Sequence, residues 1–135
     1  MMFVNTTPHA LRLKTQSGHI AVIPASPDKD LCQVFRGKAV ASKTPPLAFE
    51  HEFIATSGPP TYEIDPDEFT RLVQPEQDTI YLVSSISGEA LARQTTLRHP
   101  KARFFVPYSG PDPTRCLRVN GEIMWCAELM EYASL

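Results

Sequence analysis

The sequence predicts an α+β fold: one β-rich domain of short, mostly antiparallel strands with two short helices. Proline is abundant, with 13 prolines against 6 glycines in 135 residues, and proline interrupts helices and is confined in sheets to edges and interruptions. The run Thr79–Val83 has strand-forming residues on both faces, as a strand in the middle of a sheet has. Asn120-Gly121 is a strong signal for a tight hairpin turn. A chain of this length forms one domain, residues 1–135, with its own core.

The first half of the chain reads as short strands between turn residues. The predicted strands are Met2–Val4, Leu11–Lys14, His19–Pro24, Leu31–Phe35, Lys38–Ala41 and Ala48–Thr56. Ser17-Gly18 is the expected hairpin turn between the second and third of them. Loops or turns are expected at Pro24–Asp30, Ser42–Pro46 and Ser57–Pro60.

The clearest helix start is Asp65-Pro66-Asp67-Glu68. Asp65 is suited to the N-cap, Pro66 to the first helical position and Glu68 to a capping box. Pro75 is expected to end this helix.

A second helix is predicted after the serine-rich turn Ser84–Ser87, ending near Arg93. The last third of the chain reads as three strands, Arg103–Val106, Cys116–Val119 and Glu122–Leu129. Two helices are too few for a repeating βαβ architecture with parallel crossovers, so antiparallel pairing is expected.

Charge and hydropathy argue against two classes of partner. The net charge is −2, so nothing global favours nucleic acid or an anionic membrane. No long apolar run and no secretory leader pattern is visible, so we expect a cytoplasmic protein without a membrane association. The odd number of cysteines favours reduced thiols, with a Cys116–Cys126 disulfide across a hairpin as a geometric alternative.

The serine-rich turn is the first candidate site. Backbone N–H groups at a helix start, together with hydroxyl groups, bind phosphate or carboxylate. Ser84, Ser85 and Ser87 are the candidate donors, although Ser85 or Ser87 capping the helix is the simpler explanation.

A basic stretch follows this turn. Arg93 and Arg98 are candidate anion ligands because a guanidinium group binds carboxylate and phosphate through two hydrogen bonds. Further basic and aromatic residues follow: His99, Lys101, Arg103, Phe104, Phe105 and Tyr108. The simpler explanation is a solvated loop followed by core aromatics.

His9 is the candidate acid or base, because histidine titrates near neutral pH. A structural histidine that fixes its turn is the alternative. Ser84 paired with His9, or a cysteine paired with a histidine, are candidates for nucleophilic catalysis. No histidine stands at metal-ligand spacing, so neither a metal nor a cofactor is expected.

Two short motifs resemble those of a known group of proteins. Val4–Leu13 is similar to the opening Asn-Leu-Thr-Pro-His-x-Ile-x-Leu of a group of small uncharacterised bacterial and phage proteins, except that Thr6 replaces an apolar residue. Tyr81–Ser84 resembles their Tyr-Ile-Val-Ser motif, and Ala90–Arg93 resembles the segment after it. The resemblance implies no activity, but it implies that one polar site contains Asn5, Thr7, His9, Ser84 and Arg93.

The functional hypothesis is a pocket for a small anion between the Thr-Pro-His turn (Thr7-Pro8-His9) and the serine-rich turn (Ser84–Ser87). One alternative is a cofactor-independent enzyme in which His9 is the acid or base and Arg93 anchors the substrate. Another is a phage-like or regulatory protein-interaction module that uses sheet edges or the Met124–Met130 region. The apolar segment Ile123–Ala127 leaves a homodimer open. Nucleic-acid binding is the least favoured hypothesis.

Overall fold

The computed structural model describes residues 1–40 and 61–133, which form ten strands and three helices. The fold is the predicted β-rich α+β class. The strands are β1 (Met2–Asn5), β2 (Leu11–Lys14), β3 (Ile20–Ile23), β4 (Lys38–Val40), β5 (Thr61–Glu63), β6 (Thr79–Leu82), β7 (Ala102–Pro107), β8 (Cys116–Val119), β9 (Glu122–Cys126) and β10 (Leu129–Ala133). The helices are α1 (Lys29–Arg36), α2 (Pro66–Leu72) and α3 (Ser85–Arg93). The predicted strand Ala48–Thr56 and the turns at Ser42–Pro46 and Ser57–Pro60 lie outside the described residues.

Two four-stranded sheets dominate the fold. The first has the order β1-β6-β7-β10, and the second has the order β3-β2-β9-β8. Four of the seven described strand pairings are antiparallel, but β1, β6 and β7 run parallel to one another. The segment β6-α3-β7 is therefore a βαβ unit. The expectation that parallel crossovers would be absent is wrong at this point, because a single helix is enough for one crossover.

The segment Leu31–Phe35, predicted as a strand, is helical and belongs to α1. Asp28 is the N-cap, and its carboxylate accepts a hydrogen bond from the Leu31 N–H at 3.1 Å. Leu31, Val34 and Phe35 are buried at the helical spacing i, i+3 and i+4. This side-chain periodicity and the cap outweigh the strand preference of the individual residues. The fold thus has three helices in the described residues where two were predicted.

Of the other two helices, α2 begins where the sequence predicts, and α3 begins earlier, within the segment predicted as a turn. Asp65 caps α2, and one of its carboxylate oxygens accepts hydrogen bonds from the N–H groups of Asp67 and Glu68. Helix α3 begins at Ser85, so the serine-rich segment is its first turn and Ser84, rather than Ser85 or Ser87, is the N-cap.

The C-terminal strand prediction needs a correction. The sequence predicts one strand over Glu122–Leu129, whereas β9 ends at Cys126 in the second sheet and β10 starts at Leu129 in the first. Between them, the Ala127 N–H donates to the carbonyl oxygen of Arg115, and the Tyr108 N–H donates to that of Glu128. The chain therefore crosses between the two sheets here, which local composition does not reveal.

Both predicted hairpin turns are present. Gly18 has φ 89° between β2 and β3, while Asn120 and Gly121 have φ 50° and 82° between β8 and β9. Positive φ at both central residues is the signature of the type I′ turn that Asn-Gly favours.

The core lies around an aromatic cluster that joins α1, α2 and the first sheet. Phe35, Phe69, Tyr81 and Phe104 are all buried, and their ring centroids lie between 5.5 and 6.2 Å apart in the contacting pairs. This cluster holds α1 and α2 against β6 and β7, and it thereby fixes the carboxyl ends of the parallel strands.

Gly37 ends α1 at a point where a side chain would collide with β5. Its φ is 67°, and a Cβ atom at this position would lie 2.8 Å from the carbonyl oxygen of Glu63. We expect Gly37→Ala to lower the free energy of unfolding by about 2–3 kcal/mol, because alanine is strained at positive φ and the backbone neighbour would have to move. Chemical denaturation measures this loss. Gly18→Ala is the control, since Gly18 has φ 89° and a Cβ atom there would have no neighbour within 4 Å. An equal loss in both variants would contradict a steric role for Glu63.

Candidate functional site

A cavity of about 760 Å³ lies between the two sheets at the carboxyl ends of β1, β6 and β7. Its lining comes from the segments that follow these strands and from β2, β3, β8 and β9. The lining residues are Thr7, His9, Ala10, Leu11, Arg12, Val22, Val83, Ser84, Ser85, Val106, Pro107, Ser109, Arg118, Gly121, Glu122, Ile123 and Cys126. In open sheets with parallel strands, ligands bind outside the carboxyl ends of the strands. Because Thr7, His9, Ser84 and Ser85 all belong to this lining, the Thr-Pro-His turn and the serine-rich turn share one cavity.

The Thr-Pro-His turn is shaped by the buried side chain of Asn5. Its Nδ2 group donates to the carbonyl oxygens of His9, at 2.8 Å, and Ile23, at 3.1 Å. Its Oδ1 atom accepts from the N–H of Thr7 at 3.0 Å and from the Thr7 hydroxyl at 2.5 Å. Asn5 thus positions the turn without lining the cavity, while Thr7 and His9 are in the lining.

The start of α3 reaches the cavity at Ser84 and Ser85, whereas Ile86 lines the separate surface depression that contains Arg93. Ser84 Oγ accepts the N–H of Ser87, and the Ser84 carbonyl oxygen accepts that of Gly88. The N–H groups of Ser85 and Ile86 have no acceptor within the helix, and none of the described residues supplies one. These two groups, with the positive end of the helix dipole, favour a negative charge beside Ser84 and Ser85.

Two arginines supply the formal positive charge of the lining, and both were missed by the sequence reasoning. Arg12 lies on β2 and Arg118 on β8, and both side chains are exposed to solvent. Arg118 donates a hydrogen bond to the carbonyl oxygen of Ser109, a group with no formal charge. The three ion pairs among residues 1–40 and 61–133 involve neither of these arginines. The sequence could have indicated Arg12, because this residue follows His9 by only three positions. Arg118 is distant from His9 in the sequence, and only the sheet topology brings it to the same cavity.

The rest of the lining is mainly apolar, with one carboxylate. Glu122 is exposed at the start of β9 and contributes a negative charge. Apolar walls come from Leu11, Val22, Val83, Val106, Pro107 and Ile123. The cavity thus combines two positive groups, free N–H donors, one negative group and an apolar surface.

Three sequence candidates lie away from this cavity. Ser87 is buried and donates its hydroxyl hydrogen bond to the carbonyl oxygen of Phe35, which ties α3 to α1. Arg93 donates to the carbonyl oxygen of Tyr62 at 2.8 Å and lines a separate surface depression. Arg98 donates through Nη1 to the last carbonyl oxygens of α3 and its following turn, including that of Leu91 at 3.0 Å. Arg98 therefore supports the end of α3, a role that neither explanation of the basic stretch included.

The two proposed catalytic groups share the cavity without contacting each other. His9 and Ser84 are both in the lining. The Ser84 hydroxyl is occupied by Ser87, with the two Oγ atoms 2.9 Å apart, and among the described residues no hydrogen bond joins the His9 ring to Ser84. No group of three or more His, Cys, Asp or Glu side chains within the described ranges is arranged to hold a metal ion.

Most of the apolar segment Ile123–Ala127 belongs to β9, which lies between β2 and β8 in the second sheet. Ile123 is exposed, Cys126 is buried, and the Lys14 ammonium lies 4.4 Å from the centroid of the partly buried Trp125 ring. The homodimer and the interaction-module hypotheses stay predictions.

No helix among the described residues is long and apolar enough to cross a membrane.

Comparisons with known proteins return no relative. No protein-family model, no curated protein and no solved structure matches this chain. The resemblance of the two short motifs to small bacterial and phage proteins therefore stays a prediction.

Proposed function

We propose that the protein binds a small organic anion, carrying a phosphate or a carboxylate, in the cavity between its two sheets. The observation that carries the proposal is the shared lining: Ser84 and Ser85 at the start of α3 face the same cavity as His9, Arg12 and Arg118. Free amide donors and guanidinium groups are the two kinds of group that bind such anions.

The size and the walls of the cavity favour an organic ligand over a bare ion. A volume of about 760 Å³ lies within the range of small-molecule sites, roughly 300–1,000 Å³. In the proposed complex the anionic group lies against the α3 N-terminus, and the apolar residues contact the remainder of the ligand. Glu122 disfavours a second negative charge near β9 and favours a hydroxyl or amine there.

Thermal unfolding in the presence of nucleotides, sugar phosphates and organic acids tests the proposal. A ligand at 100 times its dissociation constant stabilises the folded state by about 2.7 kcal/mol, which raises the midpoint by several degrees. We expect a rise with members of one anionic class and none with the uncharged analogues of the same compounds. The absence of a rise with every anion in the set would contradict the proposal.

Arginine and glutamate variants of the lining give effects of opposite sign. We expect Arg118→Ala to weaken binding of the best anion by about 1.5–3 kcal/mol, roughly 10- to 160-fold, because a charged hydrogen bond is lost. Glu122→Gln is expected to tighten binding, because a like charge is removed from the cavity. Isothermal titration calorimetry measures both changes.

Two other arginines serve as comparisons in that experiment. Arg71 is exposed on α2 and pairs with Glu68, so Arg71→Ala controls for the loss of one positive charge. Arg93→Ala separates the proposed site from the one that the sequence alone predicted. Affinity that falls in Arg93→Ala and not in Arg118→Ala would contradict the site described here.

The proposal does not include catalysis. The enzyme hypothesis needs Arg93 as the substrate anchor, and Arg93 lines a different depression from His9. His9 is therefore proposed only as a lining residue of the anion site.

A further inference from the structure

Two cysteines face each other across the β8–β9 hairpin. The register pairs Cys116 with Cys126. The Ala127 N–H donates to the carbonyl oxygen of Arg115 at 2.8 Å, so the adjacent cysteine pair occupies a non-hydrogen-bonded position of the antiparallel ladder. Cα atoms in such positions are about 4.5 Å apart, within the range of about 4.4–6.8 Å that a disulfide spans.

Both residues are free thiols with 3% of their surface exposed. Burial, and then the neighbouring Cys116 thiol, raise the pKa of Cys126 to about 11. Cys126 is one of the residues that line the open cavity, so this cavity is the proposed route of a small reagent to its thiol. The third cysteine, Cys32, lies on α1, and its thiol contacts the carbonyl oxygen of Ser26 at 3.8 Å. Because Cys32 does not belong to the β8–β9 pair, it serves as an internal control for oxidation of an unpaired thiol.

We propose that Cys116 and Cys126 form a reversible intramolecular disulfide by exchange with a small disulfide compound such as oxidised glutathione. The Cys126 thiolate attacks one sulfur of the compound, which releases one thiol and leaves a mixed disulfide on Cys126. The Cys116 thiolate then displaces the second thiol and forms the Cys116–Cys126 bond. Two protein thiols are oxidised and one small disulfide is reduced to two thiols, which take up the two protons. This inference does not depend on the proposed anion binding.

The bond would join β8 and β9, the two strands that carry Arg118 and Glu122 of the cavity lining. Arg118 lies two residues after Cys116, and Glu122 lies four residues before Cys126. A cross-link here closes a short loop, and it would fix the hairpin that presents both charged side chains. The pair is therefore placed to connect oxidation of the protein with the geometry of the cavity.

The test is incubation of the folded, reduced protein with oxidised glutathione, followed by acid quenching, denaturation, alkylation of the remaining thiols and tryptic mass spectrometry. Cleavage after Arg115 and Arg118 separates the two cysteines into different peptides. We expect a cross-linked pair of the peptides 116–118 and 119–135, with Cys32 alkylated, and complete reversal by dithiothreitol. We also expect a rate that rises with pH through 9–11, as the thiolate fraction rises, and a midpoint of unfolding about 5 °C or more higher after oxidation.

Cysteine variants separate this bond from other oxidation products. Cys32→Ser is expected to oxidise as the wild type does, whereas Cys116→Ala and Cys126→Ala lose the cross-link and the rise in the midpoint. If either variant fails to fold, peptide mapping of the wild type and of Cys32→Ser decides the question alone. Three alkylated thiols after prolonged incubation at pH 9, a bond to Cys32, or a bond between two copies of the chain would each overturn the proposal.

Discussion

Replacing Phe104 by alanine is expected to lower the free energy of unfolding by about 3–5 kcal/mol, the largest loss predicted for a single substitution in this protein. Phe104 has 0% of its surface exposed, and its ring contacts those of Phe35, Phe69 and Tyr81 at centroid distances of 5.5–5.8 Å. Its removal deletes apolar contacts and leaves a cavity at the junction of α1, α2 and the first sheet, where three rigid elements cannot all move inward.

The matched control for this variant is Phe3→Ala. Phe3 is also a phenylalanine in a strand of the first sheet, but 45% of its surface is exposed. We expect a loss of less than about 1 kcal/mol, since exposed positions outside special features tolerate substitution. Chemical denaturation of both variants measures the difference, and losses of similar size would contradict the placement of the aromatic cluster at the centre of the core.

The second large effect is expected for Asn5→Ala, which we predict to cost about 2–4 kcal/mol of stability and to weaken anion binding as well. Asn5 has 1% of its surface exposed, and its amide forms hydrogen bonds to His9, Ile23 and Thr7. Without this side chain, the carbonyl oxygens of His9 and Ile23 lose a donor in a partly buried place. The turn that presents Thr7 and His9 to the cavity would then lose its fixed shape.

An exposed amide provides the control for Asn5→Ala. Among the described residues, the exposed Gln74 side chain donates only to the carbonyl oxygen of Thr70 near the end of α2, so Gln74→Ala is expected to change stability by less than about 1 kcal/mol. Denaturation and calorimetric titration of both variants are the measurements. A stable Asn5→Ala variant with the wild-type affinity for the best anion would show that the amide does not position the turn.

Local chemistry explains what could be predicted of the fold. The cap at Asp65, the Asn120-Gly121 turn and the apolar run of β6 each act over a few neighbouring residues, and the sequence predicts each correctly. The strand prediction over α1 is wrong because Leu31, Val34 and Phe35 suit a strand as single residues, whereas their spacing and the cap at Asp28 favour a helix.

The parts of the fold that were missed depend on contacts between distant segments. The division of the segment after Gly121 into β9 and β10 follows from pairing with two different sheets. No pattern within the segment itself encodes that choice of partner.

The same distinction holds for the candidate site. The sequence suggested a pocket between the Thr-Pro-His turn and the serine-rich turn, and the cavity lining contains Thr7, His9, Ser84 and Ser85. Nearness along the chain suggested Arg93 as the charged partner, but a residue eight positions into α3 lies at the opposite end of the helix from its N-terminus. Arg118 reaches the cavity through the second sheet, which only the topology reveals.

The most direct test of the anion site is a two-dimensional ¹H–¹⁵N NMR titration of the protein with the anion that gives the largest thermal shift, or with inorganic phosphate if the shifts are equal. The proposal predicts a saturable shift of the Ser85 amide resonance, which is lost in Arg118→Ala and kept in Arg71→Ala. An unchanged Ser85 resonance, with shifts confined to the surroundings of Arg93 or with none at all, would contradict the claim that the cavity at the start of α3 binds anions.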